Sequence, residues 1–203
     1  AQGSITEYTN GVQDDPVISD GISFPLDIAI DGAGNIWVQN DGNNVTVYAQ
    51  PVLTHIGVPV LVQTFGLTGP ILGIGVSEGT FAWGTEQGIS SGDDSVVLFA
   101  SATQAIASGN PEGLQELART ETPAENSPSA IAADAKGNFY ILNQDGQVNI
   151  EHTNYTQTTF AFLDFVPAGI AIDNARGRVY ISNFNGDSIA VYNTSGKLIH
   201  TIE

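Results

Sequence analysis

The chain has 203 residues, 22 of them acidic and only 5 basic, for a net charge of −17 at neutral pH. The acid count is ordinary; the shortage is of Lys and Arg, none of which occurs before Arg119. Phosphate binding runs on clustered Lys and Arg that displace counterions, so this balance argues against a nucleic-acid partner and against an anionic membrane surface.

Cysteine is absent, which leaves no disulfide and no thiolate site. Methionine is absent too, and the chain starts Ala-Gln. A mature protein that has lost its signal peptide begins this way, as does a trimmed chain. With little Lys and much Asn, Thr, Ser and Gly, the expectation is a secreted or extracellular (or periplasmic) protein. No apolar run approaches transmembrane length, so no membrane insertion is expected. Asn44-Val45-Thr46, Asn154-Tyr155-Thr156 and Asn193-Thr194-Ser195 match the glycosylation acceptor pattern.

The first segment, "SITEYTNG" over residues 4–11, is written like the third strand of units that come later. Ile5-Thr6-Glu7-Tyr8 aligns with Val45-Thr46-Val47-Tyr48 and with Ile189-Ala190-Val191-Tyr192. It reads as the tail half of a sheet whose other half is not visible. Three readings follow. The chain is part of a longer protein with more such units, or the segment caps the last sheet as an extra edge strand, or it pairs with a neighbouring molecule through Ile5, Glu7 and Tyr8.

The first full unit opens at Pro25. "DIAID" is a short apolar strand, "GAGN" a hairpin turn, "NIWVQN" a strand rich in aromatic and branched residues, and Val45 and Val47 alternate in a third strand. "VLVQTF", residues 60–65, reads as a fourth. A worn copy follows at residues 71–84, "ILGIGVSEGTFAWG". Residues 101–128 form an Ala-, Ser- and Glu-rich insertion with three prolines. Asn110-Pro111-Glu112 could open a short helix there, and "LQELART" could equally be the outer strand of the second unit. The third unit carries "AKGN" and "NFYILN", and the fourth "ARGR", "RVYISN" and "KLIHTI".

The Asp that closes the first strand recurs as Asp31, Asp134 and Asp173, with Ser77 in the worn copy, at steps of 46, 57 and 39 residues. Periods of this size belong to propellers and large helical repeats, and the strand chemistry selects the propeller. The expected fold is an all-β propeller of four-stranded antiparallel blades: four recognisable blades plus a partial N-terminal one. It is expected as one domain, residues 1–203, with a surface insertion around 101–127. The recurring Asp is expected to fix the turn through its backbone bonds. Trp37, Tyr140 and Tyr180, with Phe81 or Trp83 as counterpart, are expected to pack between blades.

The wording of residues 25–48, Pro-x-x-Ile-Ala-Ile-Asp followed by Gly-Asn-Ile-Trp-Val and Asn-Asn-Val-Thr-Val-Tyr, resembles the NHL-repeat propellers. Relatives of that kind include gluconolactonase/regucalcin-like lactonases and virginiamycin B lyase-like proteins. The resemblance covers most of the chain outside residues 101–128. It implies a divalent metal, typically calcium, held on the central axis by loop oxygen donors. The matching positions here are Asn40, Asp41, Asn143, Asp145, Asn183, Asn185 and Asp187. The second copy departs with Gly84-Thr85-Glu86, and no Glu stands in a first strand. Lyase relatives use a His and a Glu near the axis. His55, His152 and His200 fall outside the loops where axial chemistry is expected.

Two functions follow. The first is a secreted, non-catalytic binding or scaffolding module. Its partner is a protein or glycan, a second copy of the chain included, and no cofactor is firmly implied for it; the calcium ion belongs to what the resemblance implies. The alternative is a metal-dependent lactonase or lyase of the same fold.

Overall fold

The computed structural model describes residues 3–6, 8–13, 17–31, 34–41, 44–48, 61–64, 71–76, 82–86, 95–99, 116–120, 128–154 and 156–203. The worn copy's Ser77, His55, Glu7, Phe81 and the Asn110-Pro111-Glu112 turn lie outside these residues. Among the described residues there is no helix, and none long and apolar enough to cross a membrane.

Among the described residues, eighteen strands form five antiparallel sheets. The front segment supplies β1 (Tyr8–Thr9) and β2 (Val12–Gln13), joined at Asn10-Gly11. Both turn residues have positive φ, 52° and 79°, the geometry that matches the twist of a tight hairpin. The four larger sheets each use four consecutive strands. The first holds β3 (Pro25–Ile30), β4 (Ile36–Asn40), β5 (Asn44–Tyr48) and β6 (Leu61–Thr64). The second holds β7 (Ile71–Val76), β8 (Ala82–Glu86), β9 (Ser95–Phe99) and β10 (Glu116–Thr120). The third holds β11 (Pro128–Ala133), β12 (Phe139–Asn143), β13 (Gln147–Glu151) and β14 (Gln157–Phe162). The last holds β15 (Pro167–Asp173), β16 (Arg178–Asn183), β17 (Ile189–Asn193) and β18 (Leu198–Ile202). Of the two readings of "LQELART", the structure selects the strand: β10 pairs with β9 at the outer edge of the second sheet.

Register confirms that the four sheets are one motif. Ile28 faces Val38 across the first strand pair, Ile74 faces Gly84, Ile131 faces Ile141 and Ile170 faces Ile181. Each first strand carries a bulge just after its opening residue: Pro25, Ile71, Pro128 and Pro167. A proline fits there because a strand's first residue need not donate to the ladder. The turn to the second strand is closed by the recurring Asp. Asp31 Oδ1 accepts the Asn35 amide at 2.8 Å, and Asp134 Oδ1 accepts Asn138 N at 2.9 Å. Asp173 does the same work on Arg176 N at 3.0 Å and also binds the Arg176 guanidinium.

The first strands stand side by side in the order β3, β7, β11, β15, so the sheets radiate from a common inner row. Sheet faces pack on one another. Tyr140, Leu142, Val148, Ile150 and Phe160 of the third sheet meet Val179, Ile181, Ala190 and Tyr192 of the last. Phe160 is wedged edge-on between Tyr140 and Tyr192, with ring centroids 5.1 and 6.0 Å away. Trp37 and Tyr140 are buried as expected, whereas Tyr180 is half-buried. Tyr180 neighbours Val179 and Ile181 in sequence, so it points to the opposite face of the last sheet, against which none of the described sheets packs. Trp83 holds the matching register position, opposite Gly75 as Trp37 is opposite Ala29.

The front hairpin folds against the first sheet. Ile5 and Ile18 exchange both backbone bonds, at 2.9 and 3.0 Å. Ile18 and Ile22 then pack on Ile36, Val38 and Tyr48. It does not pair with the last sheet, so of the three readings of this segment the edge-cap is the one the structure replaces. The reason is local: an Asn-Gly turn and two nearby isoleucines let the segment close on its own continuation.

Candidate functional site

Where the inner strands meet, they line a half-open cleft of about 490 Å³. Its walls come from β3, β7, β11 and β15, and are mostly Ile, Ala and Gly with the backbone of the inner strands. Two side chains bring polar chemistry, Asp27 and Ser129. The Ser129 hydroxyl donates to the Leu142 carbonyl at 3.1 Å, across its own sheet.

Asp27 is different in kind. The register equates it with Gly73, Ala130 and Gly169, so three sheets place a small residue where the first places a carboxylate. Small residues let neighbouring inner strands approach: a Cβ on Gly73 would lie 2.9 Å from the Ala130 Cα. Asp27 Oδ2 instead accepts the Ile74 amide at 2.9 Å, and Oδ1 accepts the Ile28 amide at 2.9 Å. Burial pushes this carboxyl up, and the amide bonds from Ile74 and Ile28 pull it partly back. It clamps the first sheet to the second at the cleft wall. Sequence reasoning passed over Asp27 because it saw one acid in a strand; the signal was its contrast with Gly73, Ala130 and Gly169.

The site residues expected from sequence sit at the turns between second and third strands, at one end of the sheets, and do not line the cleft. Asn40 is buried. Its Oδ1 accepts the Ser23 amide at 2.9 Å and its Nδ2 donates to Thr46 Oγ1 at 3.2 Å, so it latches the entering chain to the sheet. Asp41 is exposed, and its amide donates to the Phe24 carbonyl. Asn143 is fully buried, with neither side-chain nitrogen nor oxygen hydrogen-bonded. Asp145 Oδ1 accepts Gln147 N at 3.0 Å, and Asn183 Oδ1 accepts Asn185 N at 3.1 Å. Asn185 and Asp187 are exposed in that last turn. These groups mainly build their own turns. Among the described residues no three His, Asp or Glu side chains gather in a metal-binding cluster.

The histidines lie elsewhere. His152 is held by Asn138 Oδ1 at 3.0 Å on Nδ1 and by Thr158 Oγ1 at 2.9 Å on Nε2. His200 is exposed on the outermost strand. Beside His152 stands Glu151, a carboxyl only 2% exposed, whose Oε1 has no hydrogen-bond partner. Burial pushes its pKa up. Of the residues named for the terminal strand edge, Ile5 is bonded to Ile18, and Tyr8 pairs with Gln13 while remaining 61% exposed.

Solved structures place this arrangement. The chain matches a chain of Kuenenia stuttgartiensis hydrazine synthase with a TM-score of 0.63 and 15% identity, over 96% of its own length and 52% of the other. It matches a chain of a nidogen/laminin complex with a TM-score of 0.70 and 13% identity, over 98% of its length and 71% of the other. It thus spans about half of the first and under three quarters of the second. No family model matches the chain, and no curated protein matches it. At such identities the likeness carries the fold alone: a propeller-type array of four-stranded antiparallel sheets.

Proposed function

We propose that the chain is a secreted or extracellular propeller-type domain of the NHL-repeat kind, in which four blades and a partial N-terminal one form a non-catalytic binding or scaffolding module. Its partner is a protein. The observation that supports this reading is the first sheet's exposed apolar stripe: Leu26, Ile28 and Ile30 are 58%, 47% and 64% exposed. Apolar residues lined up along one strand face are what a protein partner covers.

Asp27 favours a second reading, a metal-dependent lactonase or lyase, because it sets a half-buried carboxylate in the axial cleft. One experiment separates them. The chain is titrated with calcium in a calorimeter and assayed on a panel of lactones, beside Asp27→Asn. The binding reading expects neither turnover nor a calcium-dependent rise in melting temperature. Turnover that Asp27→Asn abolishes would establish the enzyme instead.

A further inference from the structure

Asparagine followed by glycine is a chemical weak point. The glycine nitrogen, with no Cβ beside it to obstruct approach, attacks the asparagine side-chain carbonyl carbon and closes a cyclic imide. The chain holds two such pairs, Asn10-Gly11 and Asn185-Gly186. Both asparagines are exposed, so solvent reaches each alike. Their backbones nevertheless set them apart.

Closure needs the glycine nitrogen swung under the asparagine Cβ, which takes a strongly negative ψ. Asn10 is held away from that geometry. It stands at φ 52°, in the left-handed region, where ψ is about +30 to +60°. The pairing of Thr9 with Val12 and the positive φ of Gly11 fix it there. Turning ψ to the far side would break the hairpin.

Asn185 lies in the turn between β16 and β17, outside the left-handed region. Its backbone amide donates to Asn183 Oδ1 at 3.1 Å, while its side chain bonds to no described residue. Gly186 uses its carbonyl, which accepts Ser188 N at 2.6 Å, and its nitrogen has no partner among the described residues. Other turn asparagines differ on both counts. Asn154 Oδ1 accepts Thr156 N, Asn174 Oδ1 accepts Ala135 N, and Asn193 Oδ1 accepts Ser195 N and Lys197 N. Each of these side chains is held by an amide other than the next residue's, and the next residue, Tyr155, Ala175 or Thr194, carries a Cβ.

We infer that Asn185 is a site of spontaneous backbone-assisted deamidation, which the fold permits there and blocks at Asn10. The Gly186 nitrogen gives up its proton and bonds to Asn185 Cγ; the Cγ–Nδ2 bond breaks and ammonia leaves. Water then opens the imide at either carbonyl, leaving an aspartyl or an isoaspartyl residue at position 185. Either product puts a new negative charge two residues from Asp187. The isoaspartyl form also routes the backbone through Cβ. That lengthens a turn fastened by Asn183 N to Ser188 O at 3.0 Å and by Phe184 N to Val166 O at 2.8 Å. The step needs only water, so it stands apart from the binding reading above.

The test is peptide mapping by mass spectrometry of the full chain aged in neutral to mildly alkaline buffer, beside the same chain unfolded in guanidinium chloride. In the folded chain, residue 185 should gain one mass unit, and its aspartyl and isoaspartyl forms should separate as two chromatographic peaks. Asn10 should lag by about tenfold or more. In the unfolded chain, where no hairpin holds Asn10, the two residues should convert at like rates. Asn185→Ser should abolish the gain in the tryptic peptide of residues 179–197. An unchanged residue 185 in the folded chain would overturn the inference, as would a mass gain in that peptide that persists in Asn185→Ser. Equal conversion at 10 and 185 in the folded chain, or conversion at 185 alone in the unfolded one, would overturn the part assigned to backbone geometry.

Discussion

Replacing Glu151 by Gln should stabilise the protein, and only above the acidic range. Glu151 pairs with Phe139, in the position that Tyr48 and Tyr192 hold opposite Ile36 and Val179. It is 2% exposed, Oε1 has no hydrogen-bond partner, and burial alone raises its pKa above the ordinary 4.5. Ionising a carboxyl in such a site costs far more than in water, so the fold favours the neutral acid. The unfolded chain releases the proton near the ordinary value. The folded state thus binds more protons, and this group's favourable contribution is complete below 4.5 and lost as pH rises toward the folded value. The loss runs at up to about 1.4 kcal/mol per pH unit. Glutamine keeps the shape and removes the titration. Urea unfolding of both proteins across about pH 4 to 8 should show near-equal stability at the acid end and a gain of about 1–3 kcal/mol for Glu151→Gln at neutral pH. The remaining acids contribute equally to both proteins and cancel. A stability difference that does not change with pH would refute the reasoning.

Three further outcomes are expected. Asp27→Ala removes the bond to the Ile74 amide and should cost about 1–2 kcal/mol, with faster hydrogen exchange at Ile74; unchanged exchange would show that the clamp is not carried by this carboxylate. Gly73→Ala drives a Cβ to 2.9 Å from the Ala130 backbone and should destabilise by about 1–3 kcal/mol. Gly169→Ala, which meets only Ser182 Oγ at 3.5 Å, should be near neutral; equal thermal shifts for the two would contradict the inner-row packing. Asp134→Ala loses its bonds to Lys136 N, Asn138 N and the Asn138 side chain, and should lower stability in urea by about 1–2 kcal/mol, as a turn residue would and a ligand-binding residue need not.

Much of this architecture was legible from local pattern. Strand positions followed from alternation and turn residues, since pleat period and turn geometry are properties of a few adjacent residues. The repeated Asp read as a turn residue because its backbone bonds run two to four residues along the chain, as Asp134 to Asn138 does. Site residues were harder. Asn40, Asn143 and Asn183 looked like a shared ring of oxygen donors. Yet Asn40 is spent on Ser23 and Thr46, and Asn183 on its own turn. A donor's availability depends on what the next segment brings against it, and adjacency in a repeat cannot tell.

Glu151 shows the same limit from the other side. In the sequence it is one acid among 22, at the end of a strand. Only the packing of sheet on sheet places it in an aromatic position away from water. What the sequence determined by itself was the unit: four short strands, a turn aspartate, a proline at the first strand's opening and aromatic residues in the second strand. What tertiary structure decided was which copies have neighbours. Ile74 and Ile131 are covered and Ile28 is not, although all three occupy the same place in the repeat. Burial is a property of the sheet that arrives from elsewhere in the chain, and solvation, charge state and binding surface all follow from it.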